Sequence, residues 1–486
     1  MAARNHRHIN VGTSAKPAKK TKGEVLLAKT SLPPKPDELS WRDYLIMLLH
    51  IASELEHALM VEYLFAAYSL GGEGAAKAPR EVREWRDTIL TVAREEMGHL
   101  ITVQNTLLLI GGPVSFERDD YPWSSPFYPF EFKLEPLSLD SLACYVYAEM
   151  PGELEHKADL AVRASVEKRL KLKNAPRVGE VYDAIIELIG DTEKIPEETF
   201  NADSYKYQAT WDEWGRGYRP GASKPYTKNP DVPPPYERKT RVIVDQMATR
   251  TEAVAALRDV AGQGEAEHQR GGAKMEPSHF DRFAEIYRAF EKRLAKDKHW
   301  SPSRKIAVNP FAGAAKFAPK GATPIVNPAS SLWASLFNIR YRMLLTLLTY
   351  TYRVPSDSPE EAHLRRAPMM ARIFGEMYNL KAIAGVLVRL PLGDPKKPER
   401  AGPPFQSPYT LTPPVPEANF WRTQRDLLHA AEGLVEQLLH PKAHGLAPSP
   451  TDGVRYLKAL RATDANARVW IEQLLDGINP SRRTRA

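Results

Sequence analysis

Two long stretches near the start of the chain repeat apolar residues with the three-to-four-residue rhythm of an amphipathic helix. Over 41–70 one stripe runs Leu45, Leu49, Ala52, Glu56, Leu59, Tyr63, Ala66, Leu70. Over 82–111 another runs Trp85, Ile89, Val92, Glu96, His99, Val103, Thr106, Ile110. Gly71–Gly72 and Gly111–Gly112 follow where glycine commonly closes a helix. Shorter helices are predicted at 139–149, 159–171 and 178–189, and longer ones at 237–262 and 278–296. A further set at 331–353, 359–390, 417–440 and 452–476 predicts a second, C-terminal helical layer. No segment keeps the alternation of a strand and no internal repeat is visible, so the expected fold class is all-α.

The segments between these helices are long and rich in Pro, Tyr and Trp, notably 121–130 and 192–236. Loops of that length commonly form walls or lids. The expected organisation is a basic tail over 1–36, a helical bundle over 37–300, a linker over 301–330, the C-terminal helical region over 331–478 and a second basic tail over 479–486. The chain has 486 residues, 43% of them hydrophobic and 26% charged, as in water-soluble globular proteins. Its net charge of +7 is concentrated in the two tails, which read as solvated ends and not as a nucleic-acid site. The N-terminus lacks the apolar core of a secretory signal, although it has the Arg, Lys and Ser of organelle transit peptides. No apolar run is expected to cross a bilayer. A single cysteine, Cys144, rules out a disulfide framework and a Cys-rich metal site. A cytoplasmic protein is expected.

Candidate chemistry enters where the stripes break. Glu56 interrupts the first at mid-length, and Glu96 with His99 interrupts the second. Residues three apart share a helix face, so Glu96 and His99 point together into the core. A buried ionised carboxylate is costly unless it is paired or holds a cation. One carboxylate from one helix and Glu-x-x-His from the next make half of a dimetal site in a four-helix bundle. Carboxylate and imidazole together suit iron or manganese and admit zinc; a buried hydrogen-bond network is the competing explanation. Glu54 and His57 repeat the spacing on a more polar stripe, which places them on a flanking face. For the other half, Glu276-Pro-Ser-His279 is favoured among later Glu-x-x-His matches, because His279 heads the stripe Phe283, Ile286, Phe290. The rivals begin at Glu153, Glu265 and Glu360. Spacing leaves the remaining carboxylate open between Glu180, Glu149 and Glu265.

The segments ELEHALMVEYLFAAYSL, AREEMGHLITVQNTLLLIGG, YVYAEMPGE, RVGEVYDAI, DVAGQGE, PSHFDRF and IVNP occur in one order over roughly 43–328. In this the chain resembles the ferritin-like family that includes iminophenyl-pyruvate dimer synthases, the bisindole-pathway proteins of violacein and rebeccamycin type. The resemblance implies a ferritin-like four-helix bundle with ligands from four helices. Carried over, it implies Glu56 on the first helix, Glu96 and His99 on the second, Glu180 on the third, and His279 with Glu276 on the last. It implies a metal-dependent oxidoreductase with two ions, iron first and manganese as the alternative. Its partners would be O2 or hydrogen peroxide and a small aromatic or amino-acid-derived substrate, with oxidative coupling of two imino acids as one version. Tyr63, on the Glu56 stripe, is a candidate proton donor or radical site. A dimanganese-catalase-like peroxide disproportionation and a non-catalytic metal-binding or interaction protein are the other readings. A homo-oligomer is compatible with either.

Overall fold

A computed structural model describes residues 34–71, 79–125, 127–128, 130–172, 177–217, 242–265, 277–355, 359–407 and 410–478. Twelve α-helices among the described residues carry the fold. They are α1 (Trp41–Ser69), α2 (Arg80–Leu109), α3 (Leu139–Ala148), α4 (Lys157–Leu170), α5 (Val178–Gly190), α6 (Trp211–Gly217), α7 (Arg250–Glu265), α8 (His279–Lys296), α9 (Pro328–Thr351), α10 (Pro359–Leu387), α11 (Glu417–Leu439) and α12 (Thr451–Ile478). The strands among the described residues are a two-residue parallel pair, β1 (Pro310–Phe311) and β2 (Thr323–Pro324), within the connector to α9. The all-α reading holds.

α1 and α2 are the spine. Ser40 caps α1 by accepting from the Asp43 amide at 3.1 Å. At the far end of α2, Arg42 donates to the carbonyls of Ile110 (3.0 Å) and Gly111 (2.8 Å), which the helix leaves without partners. Gly111 has φ +67°, and a Cβ there would meet the Arg42 guanidinium at 2.9 Å. α3 packs on α8, with Tyr63, Tyr145 and Phe283 forming one aromatic knot. α5 and α7 cover the other side of α1 and α2. The C-terminal helices α9 to α12 pack among themselves as a second layer.

Two expectations change. The helix predicted from 237 begins only at Arg250. Its described forerunner, 242–249, is a non-helical strap lying on α2. Val242, Ile243 and Val244 are consecutive β-branched residues, which disfavour a helix. α2 also offers the strap partners: Thr102 donates to the Ile243 carbonyl (3.2 Å) and Asn105 to that of Asp245 (2.9 Å). Gly98 permits the approach, since a Cβ there would lie 2.6 Å from the Ile243 oxygen. Second, α1 is long and apolar enough, by length and composition, to cross a membrane. Here most of it is buried inside the protein, including Glu56, His57 and Glu62, as in the core helix of a globular bundle.

Candidate metal centre

Glu56 from α1, Glu96 and His99 from α2, Glu149 at the C-cap of α3 and His279 at the first position of α8 meet in the bundle interior, all buried. Each is delivered by local structure. Glu96 and His99 are three apart on α2 and share its inner face. The α3 helix opens with a Ser138–Ser141 capping box and stops at Glu149. Ser278 and Asp281 form a second capping box that starts α8 at His279. This puts His279 at the positive end of the helix, facing acids.

Glu96 is central. Its Oε2 lies 3.0 Å from His99 Nδ1, and its Oε1 lies 2.6 Å from His279 Nδ1. Glu56 Oε2 is 3.7 Å from His99 Nδ1 on one side. Glu149 Oε2 is 3.6 Å from His279 Nδ1 on the other. The two imidazole rings are 5.4 Å apart and nearly parallel. Outer partners orient both rings. His99 Nε2 faces Gln263 Oε1 at 2.9 Å, and His279 Nε2 faces Glu95 Oε2 at 3.0 Å. Those acceptors hold a proton on each Nε2 and leave both Nδ1 atoms aimed at Glu96. Arg282 also reaches Glu95, at 2.6 Å. The Tyr182 hydroxyl donates to Glu56 and the Tyr63 hydroxyl to Glu149, both at 2.5 Å. Gly264 on α7 leaves room for Glu149, whose Oε2 would stand 3.2 Å from a Cβ.

The charges are compressed. Burial, then Glu96, raises the Glu56 carboxyl to about 8, against the pull of His99. Burial would also raise Glu96, but His279 and His99 outweigh it and hold it well below the usual carboxylate range. Burial would lower both imidazoles; Glu96 and Glu56 instead raise His99 to about 10, and Glu96 with its neighbours raises His279 well above its usual value. Glu149 is raised by burial and by Glu96. Protons therefore balance the acids in the metal-free cluster.

The group fits a cation on an observation of its own. Glu96 Oε1 and His279 Nδ1 are both fully buried, 2.6 Å apart, and neither has a hydrogen bond. Two such atoms forced together cost free energy unless a shared positive charge lies against them, the proton of His279 in the metal-free cluster or a metal ion in its place. Among the described residues, one oxygen of Glu96 and one nitrogen each of His99 and His279 lie within 4.8 Å of one another, a spacing that one metal ion can span. A void of about 20 Å³ adjoins them, lined by Glu56, Glu149, Tyr182 and Gly264 among others. It has room for a small ligand such as water.

Of the residues favoured from the sequence, the structure brings together Glu56, Glu96, His99 and His279. It does not bring in Glu180, which is part-buried on α5, 3.5 Å from Arg177. Two positions on, Tyr182 turns inward with Ile185 and Ile189 and reaches Glu56, because residues two apart cannot face the same way. Its place in the cluster is taken by Glu149, which follows an apolar helix in YVYAEMPGE. Glu276 lies outside the described residues, as do the side chains of Glu265, Glu360 and His363. Glu153 and His156 are exposed. His57 faces away: its Nδ1 bonds the Phe116 carbonyl (2.9 Å) and its Nε2 the Tyr341 hydroxyl (2.5 Å). Sequence reasoning missed Glu95, Gln263 and Tyr182 as supporting groups. The adjacent acids in AREEMGH and the polar break in DVAGQGE were the available signals. The described parts of the loops 121–130 and 205–226 line neither the void nor the cleft between the bundle and the C-terminal helices; Trp123 and Tyr128 instead stack on Phe132.

Fold and site together define a class: the chain carries a ferritin-like domain, and residues 49–288 match the Ferritin-like family model. The bisindole-pathway resemblance has a counterpart too. The chain is 26% identical over 398 residues to dichlorochromopyrrolate synthase of Lentzea aerocolonigenes, covering 76% of this chain. It spans 36% of that relative's length. A crystal structure of a ferritin-like protein from Caulobacter vibrioides aligns with 72% of this chain and 96% of its own, at 18% identity and a TM-score of 0.40.

Proposed function

We propose that this chain is a metal-dependent oxidoreductase whose centre holds two ions, with iron first and manganese second. The carrying observation is Glu96, which offers one oxygen to each of two imidazoles. Glu56 and His99 would complete one position, Glu149 and His279 the other. Such a pair of ions supplies electron exchange with O2 or hydrogen peroxide. The protein's own groups do the rest. Gln263 and Glu95 fix the imidazole tautomers. Tyr63 donates to Glu149 and Tyr182 to Glu56, and Tyr182 also lines the small void. Apolar walls keep bulk water away, which strengthens each of these interactions.

The relative's name makes it a synthase of dichlorochromopyrrolate. That supports oxidation of a small aromatic, amino-acid-derived substrate here, including coupling of two imino acids. The lone, partly buried Cys144 supports a reducing, cytoplasmic setting. A second reading, peroxide disproportionation, is favoured by the small volume beside the cluster, which suits peroxide better than an organic molecule.

Elemental analysis with an optical spectrum, followed by assays with peroxide alone and with aromatic imino acids, tests the proposal. Two irons per chain and O2-dependent consumption of an imino acid are expected. Dioxygen release from peroxide by a manganese-loaded chain would favour the second reading. A chain that takes up neither metal would overturn both.

A further inference from the structure

The two halves of the metal centre are matched almost group for group. Each turns one imidazole nitrogen to Glu96, His99 at 3.0 Å and His279 at 2.6 Å. Each adds an outer carboxylate at similar reach, Glu56 at 3.7 Å from His99 and Glu149 at 3.6 Å from His279. Each of those acids accepts from a buried tyrosine at 2.5 Å, Glu56 from Tyr182 and Glu149 from Tyr63. Glu96 serves both halves and cannot tell them apart.

The halves differ behind the imidazoles. His99 Nε2 faces the side-chain oxygen of Gln263, a neutral amide, at 2.9 Å. His279 Nε2 faces the buried carboxylate of Glu95 at 3.0 Å. Both contacts fix the same tautomer, so the rings are aimed equally well. Their electron supply is unequal. A carboxylate behind an imidazole draws on its N–H and makes the opposite nitrogen a stronger donor, which an amide does far less. Losing an outer partner of this kind typically costs about 10–100-fold in metal affinity. Two features temper the effect. Arg282 shares the same Glu95 oxygen at 2.6 Å. His279 also opens α8, and the positive end of a helix disfavours a cation by about two- to fivefold. The carboxylate still outweighs the helix end. The small void marks which half is open. Glu56, Glu149 and Tyr182 line it, and of the two imidazoles only His99 does. The half with the weaker outer partner is therefore the half whose imidazole a small molecule can approach.

We propose that the two metal positions are unequal. Glu95, acting through His279, makes the His279–Glu149 position the tight one, filled first. Gln263 leaves the His99–Glu56 position the weaker one, beside the void that admits O2 or peroxide. Glu95 and Gln263 act through the imidazoles and are positioning residues. The inference rests on the two-ion reading and deepens it.

The test uses Mn2+ alone with the full chain. Repulsion between two cations separates the binding steps in any dimetal site, so location decides and not the ratio of affinities. Crystals grown with one equivalent of Mn2+ are expected to show anomalous density beside His279 and Glu149. In the Glu95→Gln/Gln263→Glu exchange variant the first ion is expected to move to His99 and Glu56. By calorimetry, Gln263→Glu alone should tighten the weaker of the two steps about tenfold and leave the stronger within about twofold. A first ion beside His99 in the parent, or one shared equally, overturns the inference. So does an exchange variant that keeps the parent's order, or a weak step that Gln263→Glu leaves unchanged. Those results leave the two-ion reading standing. A chain that takes up no second ion at saturating Mn2+ defeats that reading, and the inference with it.

Discussion

Two of the buried charge clusters among the described residues are built by different chemistry. In the C-terminal layer, Arg340 is fully buried and pairs through both Nη atoms with Asp464, one of them also 3.3 Å from Glu376. Glu376 is closed off by Arg372 at 2.9 Å and Asn379 at 3.0 Å. In the bundle, the carboxylates face imidazoles instead. A guanidinium keeps its charge at any ordinary pH, so the first cluster is permanent and structural. An imidazole can give up its proton, so the second can exchange protons for a metal ion. Burial of charge by itself therefore marks no function; the identity of the cation partner separates a strut from a site.

The comparison can be broken most forcefully at Arg340. Arg340→Leu leaves Asp464 and part of Glu376 buried without a cation and is expected to cost about 3–5 kcal/mol in denaturant unfolding. Arg340→Leu/Asp464→Leu should recover most of that loss, as paired charges often can be replaced by packed apolar groups. Equal losses in the single and double variants would make the cluster something other than an ion pair. Next comes metal removal. At about a hundredfold excess over the dissociation constant, bound metal adds roughly 2.7 kcal/mol, so chelation should lower the melting temperature of the parent. The Glu96→Gln variant, having lost the carboxylate that both imidazoles face, should show no such drop. A parent curve indifferent to chelator would argue that the bundle cluster, too, is merely structural.

Smaller effects sharpen the picture. Glu95→Gln leaves the cluster intact but weakens the acceptor that orients His279; metal affinity should fall about 10–100-fold by competition titration, with the fold retained. Ser278→Ala removes the cap that starts α8 at His279 and should cost about 1 kcal/mol of stability, read by chemical denaturation. A loss well below that would mean that packing alone fixes the start of α8.

Much of the bundle was legible along the chain because it is built from long amphipathic helices. Their inner stripes name Glu56, Glu96 and His99 through local periodicity, and His279 through the stripe it heads. The 242–249 strap was not legible, because its backbone is satisfied by Thr102 and Asn105 from a distant helix. α1 met the composition of a membrane span, and only its neighbours show it to be a core helix. The choice between Glu180 and Glu149 was equally out of reach. Both are acids near short apolar helices, and which one turns inward depends on how α3 and α5 pack against α1.

The sequence by itself determined the long amphipathic helices and which of their polar residues must face the core, since both follow from spacing within one element. Tertiary structure decided which acid joins the cluster, which nitrogen of each imidazole points into it, and that a cleft opens against the C-terminal layer. Those depend on the relative placement of groups up to hundreds of residues apart, which no local pattern encodes.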